Sequence, residues 1–210
     1  DISDICYATT NPGVMDLFVY RTDSLREIFN SESYTFSYTV SDKNYGKIPV
    51  TVAKNGEDYY LRTKVNERPY TLLSQADGSS YILLDETKVY IKIPTAVAPL
   101  FDVKTELQSL IPSADWSCKA IVSTFNSQKV VCESFINPER TKEIRFYYKV
   151  GKLVGIDEIG LGGIEARAFA ESVVSTSDPD LFLVPQDYNK IFFGMADDLG
   201  FPDDGLIPLI

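Results

Sequence analysis

The chain has 210 residues, a mass of 23.5 kDa and a formal net charge of -10, with 44% hydrophobic and 24% charged residues. This composition is typical of a globular protein, and at this length the chain can bury a sizeable core. Its excess of acidic side chains repels phosphate backbones, so we expect no nucleic-acid partner. The sequence contains no histidine, which excludes Ser-His-Asp and Cys-His catalysis and imidazole metal sites.

Residues 1–13 show no hydrophobic period and end in an Asn-Pro-Gly turn signal, so we interpret them as an N-terminal extension. The chain begins without a basic region followed by an apolar run, and no apolar segment approaches the roughly 20 residues that span a bilayer. We therefore expect a soluble, mature fragment. From Val14 to Phe29, apolar residues recur at spacings of three and four, which predicts an amphipathic helix.

After this helix the hydrophobic period changes to two, which indicates strands with one buried and one solvated face. Turn signals that include Asn55-Gly56 and Asp77-Gly78 divide the segment before Pro94 into six short antiparallel strands. The residues that alternate along one face of these strands are Tyr34, Phe36, Tyr38 and Val40, then Ile48, Val50 and Val52, then Tyr59, Leu61 and Val65, and finally Val89, Ile91 and Ile93.

A second helix is predicted between Pro94 and Pro112, where Asp102 is the N-cap and Val103 and Leu107 share one face. Strand patterns then resume, and we assign them to residues 116–125, 128–136, 141–150, 152–159 and 164–176. About eleven antiparallel strands and two helices result. We interpret residues 1–210 as a single α+β domain that is mainly β.

The end of the chain, residues 194–210, is rich in aspartate, with pairs at 197–198 and 203–204. Their spacing matches no calcium-binding loop, so we interpret this segment as a solvated acidic tail. Asp157 and Glu158 are consecutive on a strand and must face opposite ways, which argues against paired catalytic carboxylates. We expect no catalytic residue, metal site or cofactor, and thus no enzyme.

Cys118 and Cys132 flank the turn between two adjacent strands. A loop centred on Phe125 would pair even-numbered residues of the first strand with even-numbered residues of the second. The apolar residues of both strands would then lie on one side of the sheet, with the two cysteines directly opposite each other. This register predicts a disulfide, which would place the protein outside the cytoplasm. A two-residue turn at Asn126-Ser127 would not bring them together, and two reduced core cysteines are the alternative. Cys6 is predicted to be an unpaired thiol.

The order of these elements resembles the LolA/LppX-like superfamily of bacterial lipoproteins and lipoprotein localisation factors. Three segments carry local similarity: the helix that runs into residues 33–36, the strand-turn-strand at residues 81–89, and the closing segment at residues 181–188. The resemblance covers residues 14–191. It implies a large curved antiparallel meander, an incomplete half-barrel whose concave face is covered by the N-terminal helix and the mid-chain helical insertion.

Two helices are too few to fill the hollow of such a sheet, and an unfilled apolar face needs a ligand, water or collapse. In carriers of this superfamily an acyl chain occupies the hollow. The resemblance thus implies a monomer of the bacterial cell envelope or cell surface that binds a hydrophobic small molecule, an acyl chain or a lipidated partner. Any membrane association would come from a lipid anchor upstream of residue 1. The residues expected to face the ligand are Phe36, Tyr38, Val50, Leu61, Ile91, Phe146 and Tyr148.

The alternative interpretation is a surface interaction or sensor module without enzymatic activity. Alternating aromatic residues are what any antiparallel sheet needs for packing, so the same side chains could form a filled core with no ligand. The two hypotheses differ in whether added lipid raises the melting temperature.

Overall fold

A computed structural model describes residues 21–42, 46–65, 67–96, 98, 103–104 and 111–192. These residues belong to two compact units. Unit 1 contains residues 21–30 and 111–170, and unit 2 contains the described part of residues 31–110 together with residues 171–192. Both units are mainly β and mostly antiparallel, which confirms the predicted structural class.

Unit 2 contains the predicted meander. Its first six strands form five successive antiparallel pairs, because the intervening turns are short and contain residues such as Gly56 and Gly78 that adopt positive φ. A seventh strand, which the sequence pattern did not predict, pairs parallel with the sixth. The strands of unit 2 are β1 (Ser33–Asp42), β2 (Gly46–Asn55), β3 (Asp58–Val65), β4 (Arg68–Ser74), β5 (Ser80–Leu84), β6 (Val89–Lys92) and β12 (Asn189–Ile191).

Unit 1 combines one helix with a five-strand antiparallel meander in the order β7-β8-β9-β10-β11. The last of these strands continues into unit 2, to which its final residues from Glu171 onward belong. The elements are α1 (Arg21–Asn30), β7 (Ser117–Phe125), β8 (Gln128–Ile136), β9 (Glu143–Lys149), β10 (Lys152–Gly160) and β11 (Gly163–Val174).

The predicted disulfide is wrong, because Cys118 and Cys132 are not bonded to each other. Asn126 and Ser127 form a two-residue turn with φ of 47° and 62°, so Phe125 pairs with Gln128. This register pairs even residues with odd ones. Cys118 therefore lies opposite Phe135 while Cys132 lies opposite Ile121, and the two cysteines occupy opposite faces of the sheet. The argument from a disulfide to a compartment outside the cytoplasm no longer applies.

Several predicted features lie wholly or largely outside the described residues. These are the N-terminal extension with Cys6, the first part of the N-terminal helix, most of the mid-chain helix and the acidic tail. Of the mid-chain helix, only Val103 and Lys104 are described as helical, and Val103 is completely buried.

Each unit has one sheet face that is covered from within the same unit. In unit 2, a C-terminal strap formed by residues 179–191 begins with a 3-10 helix, Pro179–Phe182, and covers the face that carries Tyr60. Phe182 packs edge-on against Tyr60, with ring centroids 6.4 Å apart. In unit 1, α1 packs on the face that carries Glu133, where Thr22 and Leu25 are its buried residues.

Candidate functional site

Five of the seven predicted ligand-facing residues share one face of the unit 2 sheet, which we call the Phe36 face. The cross-strand register places Phe36 opposite Val52, Val52 opposite Leu61, and so on across the sheet to Ile91. Tyr38 and Val50 are opposite each other in the neighbouring row. The seven predicted positions are Phe36, Tyr38, Val50, Leu61 and Ile91 in unit 2, and Phe146 and Tyr148 in unit 1.

The Phe36 face is covered in this structure. Phe36 and Ile91 have no exposed surface, and Tyr38, Val50 and Leu61 are at most 2% exposed. The face also includes apolar side chains outside the predicted set, which the register identifies as cross-strand partners of the predicted ones. They are Val52, Leu72 and Ile82 in the Phe36 row, each buried.

A buried polar group on the Phe36 face, the hydroxyl of Thr63, has no hydrogen-bond partner among the described residues. Thr63 lies on β3 two residues beyond Leu61 and directly opposite Tyr70 on β4. Its side chain is only 3% exposed, and its hydroxyl oxygen Oγ1 makes no hydrogen bond. A buried hydroxyl without a partner costs about 1–3 kcal/mol of stability, so native proteins seldom leave one unpaired without a reason.

The pKa values of two tyrosines on the same face reflect its burial from water. Burial raises the pKa of Tyr70 well above its usual range. Burial also raises the pKa of Tyr34, and the nearby Tyr59 adds to the shift. These phenols stay protonated at neutral pH, so the face presents neutral hydroxyl groups within an apolar surface.

Lys104 of the mid-chain segment contacts residues on this side of unit 2. The Lys104 ammonium lies 3.0 Å from the Glu57 carboxylate and 5.9 Å from the centre of the Tyr59 ring. Tyr59 is on the Phe36 face, because it lies two residues before Leu61 on the same strand. Hydrogen bonding and charge from Lys104 lower the pKa of Glu57, so the pair is ionised at neutral pH.

In unit 1, Phe146 and Tyr148 lie on the α1 face, where the register places them beside Glu133. Glu133 is 1% exposed, and its two oxygens accept hydrogen bonds of 2.9 Å from the backbone N–H groups of Arg21 and Thr22. The Thr22 hydroxyl donates to the same carboxylate over 2.7 Å, so the Tyr148 hydroxyl, 2.9 Å away, must donate to Thr22. Glu133 thus caps the start of the described helix.

The α1 face of unit 1 is therefore a satisfied polar cluster within apolar packing. Phe146 packs edge-on against Phe135 with ring centroids 5.8 Å apart. Burial raises the pKa of Tyr148. The sequence pattern did not identify Glu133 as a key residue, because its partners are more than a hundred residues away in the chain.

The opposite face of unit 1 carries a buried carboxylate, Asp157, with no exposed surface. Arg167 donates to both of its oxygens, over 2.7 and 2.6 Å, and the Tyr147 hydroxyl donates over 2.9 Å. The Arg167 guanidinium also lies 5.3 Å from the centre of the Phe125 ring, which stacks on Tyr147. These contacts pair every charge, as expected for a structural cluster.

Within the described ranges, no group of three or more His, Cys, Asp or Glu side chains is placed to hold a metal ion. None of the described helices combines the length and apolar character that a membrane crossing requires.

No protein-family model and no curated protein matches this sequence. Among solved structures, an uncharacterized conserved protein from Thermus thermophilus aligns over 80% of this chain and 99% of its own, with 9% identity and a TM-score of 0.47. PNGF-II aligns over 80% of this chain and 32% of its own, with 11% identity and a TM-score of 0.35. Neither likeness is close enough to carry a functional argument. The resemblance to the LolA/LppX-like superfamily stays a prediction.

Proposed function

We propose that this protein is a binding protein without enzymatic activity that holds a hydrophobic small molecule or acyl chain against the Phe36 face. The observation that carries the proposal is the buried hydroxyl of Thr63, which has no hydrogen-bond partner among the described residues and lies on a sheet face whose other polar groups are tyrosine hydroxyls such as that of Tyr70. A ligand that brings a hydrogen-bonding group to this point would satisfy the hydroxyl. Each methylene that it buries would add about 0.8 kcal/mol.

The wider setting of this proposal comes from the LolA/LppX-like resemblance. The resemblance implies a monomeric, extracytoplasmic protein of the bacterial cell envelope or surface. Such a protein would have a half-barrel sheet and a lipid anchor upstream of residue 1. A lipidated protein is the other partner that such a site would accept. The proposal rests on unit 2 alone, because the hydroxyl of Tyr148 in unit 1 is already bonded to Thr22.

Ligand uptake requires the Phe36 face to open, since its side chains are almost completely buried. Lys104 contacts Glu57 of the β2–β3 hairpin over 3.0 Å, beside the Tyr59 ring of this face. Both side chains are well exposed, so the pair is weak and water can replace it.

The test is a comparison of lipid binding by the wild-type protein and Thr63→Val. Valine keeps the shape of threonine and removes the unpaired hydroxyl, so the unliganded variant should be more stable by about 1 kcal/mol. It should also bind a long-chain fatty acid several-fold more weakly, as measured by titration with a fluorescent fatty acid and by the ligand-induced rise in melting temperature.

Thr71→Val is the matched control. Thr71 is also a buried threonine, but it lies on the Tyr60 face and interacts with the Tyr60 hydroxyl. We expect this variant to lose stability and to keep the wild-type affinity for fatty acid. Native mass spectrometry of protein extracted gently from its own cells should show co-purifying lipid. Absence of both lipid and fatty-acid uptake would refute the proposal.

The second candidate is an interaction or sensor module with a filled core and no ligand. The near-complete burial of the Phe36 face favours it. This hypothesis predicts that Thr63→Val gains stability while lipids leave the melting temperature of both proteins unchanged. The two candidates therefore differ in the ligand measurements and agree in the stability measurement.

A further inference from the structure

Unit 1 contains a cleft of about 360 Å³ at one end of its sheet, separate from the Phe36 face. One wall is the turn between β8 and β9, which contributes Arg140, Thr141 and Lys142. The other wall is the turn between β10 and β11 with Leu161 at its tip. The volume is at the lower end of the range found for sites that bind small molecules.

Two of the three charged side chains that line the cleft are engaged in ion pairs. Lys142 forms a close ion pair with Glu158. Glu143 accepts hydrogen bonds from Arg145 over 2.7 and 3.1 Å and from the Ser134 hydroxyl over 2.5 Å. Burial alone would raise the pKa of Glu143, but these hydrogen bonds outweigh it and lower the pKa, so the carboxylate stays ionised.

Arg140 is the remaining charge. It is exposed, and it forms no ion pair with any residue in the described part of the chain. Since the other two charged side chains that line the cleft are paired, Arg140 is the lining charge without an ion pair in the described part of the chain. A single guanidinium favours a monoanion with planar geometry, because its N–H groups match the two oxygens of a carboxylate.

The turn that carries Arg140 is held in place by the side chain of Asn137. The Asn137 carbonyl oxygen Oδ1 accepts from the backbone N–H groups of Thr141 and Lys142 over 2.8 and 2.9 Å. The Asn137 amide donates to the Thr141 hydroxyl oxygen over 2.9 Å. The Thr141 hydroxyl proton is therefore available to a ligand, and the backbone beside it is already ordered.

The rest of the lining provides apolar surface. Ile136 and Ile159 are half-buried in the cleft, and Leu161 at the rim is 85% exposed. A ligand that placed an alkyl group against these three side chains would remove apolar area from water. Acetate, which lacks such a group, would gain only the contact with Arg140.

We propose that this cleft binds a small organic monocarboxylate with a short apolar tail. The carboxylate would pair with the Arg140 guanidinium and accept from the Thr141 hydroxyl, and the tail would lie against Ile136, Ile159 and Leu161. This site is independent of the Phe36 face, because its lining comes from unit 1 alone.

The experiment is a titration with hexanoate, acetate and hexanamide, followed by backbone amide NMR shifts of Thr141, Gly160 and Leu161. Hexanoate should shift these resonances and bind about tenfold more tightly than its neutral analogue hexanamide, the difference that one charge-assisted contact supplies. Acetate should bind more weakly than hexanoate. Arg140→Asn should abolish the preference for hexanoate over hexanamide, whereas Arg140→Lys should keep part of it.

Arg140→Asn is suited to this test because Arg140 has a φ of 58°, a conformation that asparagine adopts readily, so the variant should fold. The matched control is Lys152→Gln, which removes the same charge from an exposed residue at the opposite end of β10. Unchanged shifts on adding hexanoate, or equal affinity for hexanoate in wild type and Arg140→Asn, would overturn the proposal.

The outcome is separable from that of the proposed function. Thr63→Val should leave hexanoate binding at the cleft unchanged, and Arg140→Asn should leave fatty-acid binding at the Phe36 face unchanged. Hexanoate shifts confined to β3 and β4 near Thr63 would count against the cleft and in favour of the Phe36 face.

Discussion

In unit 1 the buried carboxylates of Glu133 and Asp157 each have several hydrogen-bond partners, whereas the buried hydroxyl of Thr63 in unit 2 has none among the described residues. Glu133 accepts from two backbone N–H groups and one hydroxyl, and Asp157 accepts from Arg167 and Tyr147. In unit 2 the Thr63 hydroxyl makes no hydrogen bond with any described residue, although Tyr70 lies opposite it on the neighbouring strand. Burial alone therefore does not distinguish a polar group with a structural role from one that we propose contacts a ligand. The two differ in whether the group has hydrogen-bond partners within the protein.

The same comparison extends to the way each unit covers its sheet. On the face that carries Tyr60, unit 2 uses the aromatic C-terminal strap, with Phe182, Leu181 and Val184. On the face opposite α1, unit 1 uses a stack of Phe125 and Tyr147 whose ring centroids are 4.5 Å apart, together with the Arg167 ion pair. A sheet face can be covered by apolar side chains or by paired charges, but only the buried charges require matched partners.

The largest effect is expected at alkaline pH, where both units should contribute. Burial raises the pKa of Tyr34 and Tyr70 in unit 2 and of Tyr147 and Tyr148 in unit 1 above the usual value of about 10. Above that pH, the unfolded chain releases these protons while the folded chain keeps them, so stability must fall as pH rises. The expected slope is about 1.4 kcal/mol per pH unit for each tyrosine.

Urea denaturation at several pH values between 8 and 11 measures this loss. Tyr70→Phe in unit 2 and Tyr148→Phe in unit 1 should each make the alkaline slope shallower by the contribution of one tyrosine. Deprotonation of lysines affects all variants alike, so these differences isolate the phenols. A stability that stays constant up to pH 11 would contradict the burial of these side chains.

The next largest effect concerns the paired carboxylate of unit 1. Glu133→Ala removes the acceptor for three hydrogen bonds at the start of α1, so unfolding should become easier by about 3 kcal/mol. Glu133→Gln keeps one acceptor oxygen and should cost less. In unit 2, Thr63→Val should change stability in the opposite direction. Urea denaturation measures both, and a loss below about 1 kcal/mol for Glu133→Ala would show that α1 does not depend on this cap.

A smaller effect is expected on the opposite face of unit 1. A Cβ at Gly155 would lie 2.1 Å from the Phe125 ring, so Gly155→Ala must displace this ring from its stack. Such overpacking costs about 2 kcal/mol. Gly162→Ala is the control, because a Cβ there meets no atom within 4 Å. Thermal denaturation of the two variants should separate them clearly, and equal melting temperatures would show that Phe125 moves freely.

The smallest effect is expected for Cys118 and Cys132 of unit 1, which form no disulfide with each other. Cys118→Ser should change stability by less than about 0.5 kcal/mol, whereas loss of a disulfide would cost about 2–5 kcal/mol. Burial raises the pKa of Cys132 to about 11, so an alkylating reagent at pH 8 should modify Cys118 faster than Cys132. Peptide mass spectrometry of protein purified without reductant checks both statements, and a Cys118–Cys132 peptide would refute the register described above.

Much of the fold follows from local patterns. The alternation of Phe36 and Tyr38 with polar residues predicts their common face, and Asn55-Gly56 predicts the turn that aligns β2 with β3. By contrast, β12 has only three residues and no alternation. It is held by contacts that only the fold provides, including the 2.8 Å hydrogen bond from Asn189 N–H to the Lys88 carbonyl and the 2.5 Å ion pair between Lys88 and Asp187.

The candidate site shows the same division. Five apolar positions of the Phe36 face are readable from period-two alternation, because neighbouring side chains on a strand must point to opposite sides. Thr63 is not readable in this way, since threonine is common in strands and its hydroxyl usually finds an acceptor. Arg140 is likewise an ordinary turn residue in the sequence, and only the folded chain opposes it to Leu161 across a cleft.

The sequence by itself determined every described strand except β12, and within each of those strands which residues share a face, because both depend on neighbours along the chain. Only the tertiary structure decided the register at Asn126-Ser127, the pairing of Glu133 with α1 and the isolation of the Thr63 hydroxyl. The physical reason is that hydrogen bonds and cross-strand contacts depend on what distant segments bring within about 3 Å.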